Sequence, residues 1–215
     1  MRHFLAATID FERVRACDEL ELFVAATNVR TGTGKLFRRH EMDVQRLLAS
    51  ACLPTVFAAV EVDGEMYWDG SYVANPPLAP LMAHGDGSDI VIIQNNPIAR
   101  SDIPRTVADI ANRANEIAFN ISFVREVGAL QYLGGATDEA RGAGATPATK
   151  FLHLISGNEH LAEHGISAKF SAELPFLQTL HDLGVASADA WLREQGAHIG
   201  IKSTLDPMPV FYADL

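Results

Sequence analysis

Three stretches of this sequence have the residue types and spacing to do chemistry. Trp68-Asp69-Gly70-Ser71-Tyr72, followed by Asn75-Pro76-Pro77, puts a carboxylate on a tight turn. An isolated Asp-Gly pair is most often a turn signal and nothing more. A carboxylate fixed on a turn can also take the proton of a hydroxyl nucleophile. His160-Leu161-Ala162-Glu163-His164 has the H-x-x-E-H spacing of one zinc peptidase class, with both imidazoles on one helical face. Gly165 follows at once and only about fifty residues remain to supply a third ligand, so a solvated helix end explains these histidines better. Gly32-Thr33-Gly34-Lys35 suggests a phosphate loop. Such a loop needs a glycine five residues before the Gly-Lys pair and Ser or Thr after the lysine. Val29 and Leu36 stand there instead, and a hairpin turn accounts for the glycines.

Two cysteines, Cys17 and Cys52, lie among apolar neighbours. They are too few for a disulfide framework or a zinc site, and are expected to pack as small hydrophobes. No metal and no cofactor is expected.

The elements that must position Asp69 can be read from local pattern. Glu19 to Thr27 alternates and then turns wholly apolar, as a strand entering a core does. The turn Thr31–Gly34 returns the chain through Lys35-Leu36-Phe37. Glu41 to Cys52 has helical spacing, with Val44, Leu47, Leu48 and Ala51 on one side and Pro54 beyond the end. Val60-Glu61-Val62 and Glu65-Met66-Tyr67-Trp68 flank Asp63-Gly64, a pair suited to the positive φ angles of a two-residue hairpin. Pro76 and Pro77 can open a short helix running through His84.

Further on, Asp89 to Gln94 is β-branched and apolar on both faces, as an inner strand of a covered parallel sheet should be. A helix of almost thirty residues is expected after Pro104 and to end at Gly134-Gly135. Val107, Ile110, Ala114, Ile117, Ile121 and Val124 would form its apolar stripe. A loop rich in Gly, Ala and Thr, a strand at Phe151–Ile155, and helices near Phe176–Leu183 and Ala188–Gln195 complete the pattern. Strands alternating with helices make an α/β fold, expected in three layers. The organisation expected is 1–135 as the base-bearing block and 136–215 as a loop plus a mainly helical extension packed on it.

The 215 residues are 48% apolar and 20% charged, enough for a sizeable core and too apolar for bulk disorder. Seventeen Lys and Arg against 27 Asp and Glu give a formal net charge of −10. Such a surface does not collect phosphate backbones, so no nucleic-acid partner is expected. No apolar run approaches the roughly 18 residues of a membrane span. The start, Met1 to Asp10, is too short an apolar run for a signal peptide, so the default expectation is cytoplasmic.

Taken with its flanks, the Asp69 block resembles the patatin-like phospholipases. Ala49-Ser50-Ala51-Cys52-Leu53-Pro54, the hairpin, Trp68-Asp69-Gly70 and Asn75-Pro76 follow the order of that family's second catalytic block. Phe23-Val24-Ala25-Ala26-Thr27-Asn28 with Thr31-Gly32 is similar to the preceding strand and turn. Ala190-Trp191-Leu192 and Ile199-Gly200-Ile201-Lys202-Ser203-Thr204 are similar to the tail of bacterial members.

The resemblance implies an α/β/α sandwich and lipid acyl-ester hydrolysis by a Ser–Asp dyad, without a metal. Asp69 would be the base, Gly70 its turn residue, and Ser71 would replace the family's usual glycine or alanine. A positioned carboxylate can activate serine without histidine and works best partly shielded from water; Trp68 would provide that shelter. The family also carries a G-x-S-x-G nucleophile elbow and a glycine-rich oxyanion loop N-terminal to this region, and residues 1–215 contain neither. The chain therefore resembles an N-terminally incomplete patatin-like sandwich that holds the base and lacks the nucleophile. It is expected to be inactive alone, and poorly stable or self-associating through an exposed sheet edge. The expected partners are a lipid or acyl-ester substrate and, peripherally, a membrane surface. The rival reading is a non-catalytic lipid-binding or interaction module of the same fold.

Overall fold

The computed structural model describes residues 1–84, 87–95, 98–100, 102–140, 150–156 and 171–205, which fall into two compact units, Met1–Pro80 and Leu81–Leu215. Both mix helices and strands, so the α/β expectation holds.

The first unit starts with α1 (Arg2–Thr8) and α2 (Phe11–Ala16), short helices the sequence pattern had not singled out. Asp10 caps α2 by accepting the Arg13 N–H at 3.0 Å. Strands β1 (Phe23–Asn28) and β2 (Gly34–Arg38) form the first hairpin, β1 beginning four residues later than its alternation suggested. Gly32 sits at φ +69° in its turn. Helix α3 (Val44–Ser50) is shorter than expected at its start: Arg39–Glu41 winds instead as a 3₁₀ turn, and Asp43 caps α3 by accepting the Arg46 N–H at 2.8 Å.

The second hairpin, β3 (Val60–Val62) and β4 (Glu65–Asp69), turns at Asp63 and Gly64 with φ of 52° and 80°, as the dipeptide predicted. The four strands make an antiparallel sheet in the order β2-β1-β4-β3. Residues 26–28 of β1 lie opposite 69–67 of β4, so the strand that ends at Asp69 is an inner one. The core consists of Ala26, Phe37, Met42, Ala49, Val62 and Tyr67. Phe37 meets Tyr67 edge-on at 5.6 Å, and the Arg46 guanidinium lies 5.5 Å from the Phe37 ring centre.

Pro76 and Pro77 precede α4 (Ala79–His84), the Asn75–Pro76 peptide being cis. In the second unit β5 (Asp89–Gln94) and β6 (Phe151–Ser156) pair in parallel, Asp89 beside Phe151 and Gln94 beside Ser156. The expectation that β5 is covered on both faces needs correcting. Ile90, Ile92 and Gln94 on one face are buried, whereas Val91 and Ile93 on the other are exposed, so among the described residues only one face of β5 is covered.

Helix α5 (Val107–Ala140) passes through Gly134-Gly135 without stopping. Its buried side is Glu116, Phe119, Asn120, Phe123 and Val127. The predicted apolar stripe lies on a different face, and Val107, Ile110, Ile117 and Ile121 are exposed. Glu116 is tolerated inside because Arg100 grips it with two hydrogen bonds, at 2.8 and 2.6 Å, and Arg113 adds a third at 3.2 Å. The two C-terminal helices expected are one, α6 (Leu174–Gln195), which packs on β6.

Candidate active site

Asp69 is the last residue of β4, and both ends of its backbone are held. Its N–H donates to the Cys52 carbonyl at 2.9 Å, and its own carbonyl accepts the Thr27 hydroxyl at 2.7 Å. The strand's end is thus tied on one side to the loop after α3 and on the other to β1. The carboxylate then caps the 3₁₀ turn Gly70–Tyr72. Its Oδ1 accepts the Ser71 N–H at 2.8 Å and the Ser71 hydroxyl at 2.7 Å. Oδ2 has no hydrogen-bond partner among the described residues. The half-buried Trp68 and Asp69 precede the fully buried Gly70.

Gly70 is required by space. A Cβ placed on it would stand 2.4 Å from the Ala25 carbonyl oxygen and 2.7 Å from the Ala25 Cβ. The turn can therefore lie flat on β1 only because residue 70 lacks a side chain and residue 25 has a small one. The turn is closed by the Val73 and Ala74 N–H groups, which both donate to the Gly70 carbonyl, at 3.1 and 3.0 Å.

The carboxylate's charge is felt by two neighbours. Burial pushes the Cys52 thiol up from its ordinary range, and the Asp69 charge pushes it further. The Tyr72 hydroxyl is raised by the same two causes in the same order. Cys52 is buried, with Sγ 3.1 Å from the Ala58 carbonyl, and both cysteines are free.

The other sequence candidates separate from this site. The Ser50 hydroxyl is spent on the Leu47 carbonyl at 2.8 Å. Gly32 and Thr33 lie in the β1–β2 connection and Gly34 and Lys35 open β2, a hairpin as expected. His160 and His164 lie outside the described residues, and among the described residues no cluster of His, Cys, Asp and Glu is arranged to hold a metal. A cleft of about 550 Å³ is lined by Arg2, Asp43, Arg46, Glu61 and Asp63. It runs along β3 from Ala59 to Asp63, and Asp69 is not among its lining residues.

Thr27 and Cys52 hold Asp69 from 42 and 17 residues away in sequence, and no local pattern flags them. The one signal available was indirect: the adjacent small residues Ala25 and Ala26, which let the turn approach.

The site is an acidic residue on a glycine turn, braced by an inner strand of a mixed α/β unit. The family model for patatin-like phospholipases matches residues 1–82, a span that contains β1 to β4 and the Asp69 turn. That match bears out the resemblance over residues 1–82, fits an α/β/α fold and points to a family of lipid hydrolases. No curated protein matches the chain. Among the described residues no helix is long and apolar enough to cross a membrane.

Proposed function

We propose that this chain carries the general-base part of a lipid acyl hydrolase, with Asp69 as the base of a Ser–Asp dyad whose serine comes from sequence outside these 215 residues. The observation that carries this reading is the two-sided restraint of Asp69. Oδ1 is occupied by Ser71, the backbone is pinned by Cys52 and Thr27, and Oδ2 is left to accept. A base that must not reorganise during the reaction benefits from such restraint.

The chemistry then balances simply. The serine hydroxyl gives its proton to Oδ2 as its oxygen bonds to the ester carbonyl carbon. Collapse of the tetrahedral intermediate breaks the bond to the alcohol, which leaves with the proton held by Asp69. Water, deprotonated by the same carboxylate, then releases the fatty acid and regenerates the serine. Neither step requires a metal or a cofactor.

The test starts with the intact mass of the native product, captured by an antibody against this chain. A mass well above 23.3 kDa is expected, with a G-x-S-x-G segment upstream. That longer protein should hydrolyse a short-chain p-nitrophenyl ester, and Asp69→Asn should lower kcat by several orders of magnitude with little change in KM. A native product of 23.3 kDa overturns the reading and favours the non-catalytic lipid-binding module. Full activity in Asp69→Asn also overturns it.

A further inference from the structure

Helix α5 has two apolar faces, and the structure uses one of them. Glu116, Phe119, Asn120, Phe123 and Val127 face inward. On another face stand Val107, Ile110, Ala114, Ile117, Ile121 and Val124, at successive spacings of three, four, three, four and three residues. That is the a/d pattern of a heptad repeat, which follows one seam along a helix and fits the side of another helix. A face meant to rest on a sheet carries a broader stripe. Exposure is high along the seam: 86% for Val107, 51% for Ile110, 50% for Ile117 and 45% for Ile121. No charged residue interrupts it, and its flank carries the small residues Ala111 and Ala118, which allow close approach.

We infer that two copies of this chain pair through α5, the helices antiparallel and crossing at the shallow angle of a two-stranded coiled coil. Residue volumes set the direction. Antiparallel pairing places Val107 against the partner's Val124, Ile110 against the partner's Ile121, and Ala114 against the partner's Ile117. The small residue meets a large one, which fills each layer evenly. Parallel pairing would set Ala114 against its own copy and leave a void between bulky layers.

The four exposed side chains present on the order of 400 Å² per copy, so with the alanine flank two copies bury roughly 800–1,000 Å², at the lower bound for a specific interface. The pair is isologous, so it closes as a dimer and does not propagate into a filament.

Sedimentation velocity of the full chain at micromolar concentration is expected to give a dimer. Ile117→Glu and, separately, Ile110→Glu place a charge in the seam and are expected to give monomers with an unchanged far-UV circular dichroism spectrum. Disulfide trapping reads the direction without destabilising the seam. In a Cys17→Ser background, an equal mixture of Ile110→Cys and Ile121→Cys chains should oxidise to the mixed dimer in preference to either homodimer. A monomeric wild type, a dimer that survives both glutamates, or trapping that favours the homodimers would overturn the inference. The experiment is independent of the hydrolase reading, since none of its variants touches the Asp69 turn.

Discussion

Gly70 rests against Ala25 with no room for a side-chain carbon: an added Cβ would lie 2.4 Å from the Ala25 carbonyl oxygen and 2.5 Å from its carbonyl carbon. Both clashing atoms belong to the backbone of β1, an inner strand paired on both sides, so neither can swing aside. The Asp69 turn is therefore built onto the sheet. Its position is set by the same contact that packs the unit.

Gly70→Ala should accordingly destabilise the first unit although it adds a single methyl group. Overpacking of this kind costs about 1–3 kcal/mol. Urea unfolding followed by Trp68 fluorescence, in a Trp191→Phe background, measures it. A loss below roughly 0.5 kcal/mol, the usual scatter of neutral surface changes, would show that β1 yields and that the contact does not position the turn.

Ser71 gives a graded version of the same test. Its N–H and hydroxyl both bond Oδ1 of Asp69. Ser71→Ala removes the hydroxyl and keeps the N–H, so a loss of about 1.5 kcal/mol is expected, the lower end for one hydrogen bond to a charged group at this half-buried site. Asp69→Asn weakens both bonds together. In the double variant Ser71→Ala with Asp69→Asn, the two losses should fall short of additivity, because the second change finds the bond already gone. Strict additivity in the urea series would mean the two side chains do not share the bond.

Cys52 and Cys17 should differ in reactivity. Cys52 is buried, and burial together with the Asp69 charge holds its thiol in the protonated form; Cys17 is partly exposed. Iodoacetamide at mildly alkaline pH should modify Cys17 first, with the two sites reacting alike only in urea. Peptide mass spectrometry over time reads both. Early labelling of Cys52 would mean that the Asp69 neighbourhood is open to solvent.

How much of this was legible in advance depended on the range of the interaction. The β3–β4 hairpin follows from Asp63-Gly64, because the positive φ values there are a local property of two residues. The end of β4 at Asp69 and the turn after it were legible for the same reason. The α5 stripe shows where local reading stops. Periodicity identified an apolar face correctly, but a helix with two such faces does not say which one its own fold uses. The chosen side includes Glu116 and Asn120, which look solvent-facing until Arg100, 16 residues earlier, neutralises Glu116. Nor could sequence place Asp89, His153, Thr204 and Gly200 together, since those contacts span 51 to 111 residues.

That last cluster gives the second unit a distinct response to acid. The fully buried His153 bonds Asp89 through Nε2 at 2.8 Å and Thr204 through Nδ1 at 2.9 Å, with the Trp191 ring edge-on at 5.7 Å. The Gly200 N–H, the Ser88 hydroxyl and His153 together hold the Asp89 carboxyl at about 2, against an ordinary 3.8. The folded chain thus binds this proton more weakly than the unfolded chain. Asp89 contributes stability that is fully present above its unfolded value of 3.8 and is lost as pH falls toward about 2. Trp191 reports on this cluster alone once Trp68 is replaced by Phe, since the chain has 2 tryptophans. Thermal melts followed at Trp191 should show Asp89→Asn melting below its parent at neutral pH. The difference should shrink as pH drops below 3.8 and vanish near 2. A gap that stays constant across that window would mean the Asp89 proton is not linked to folding.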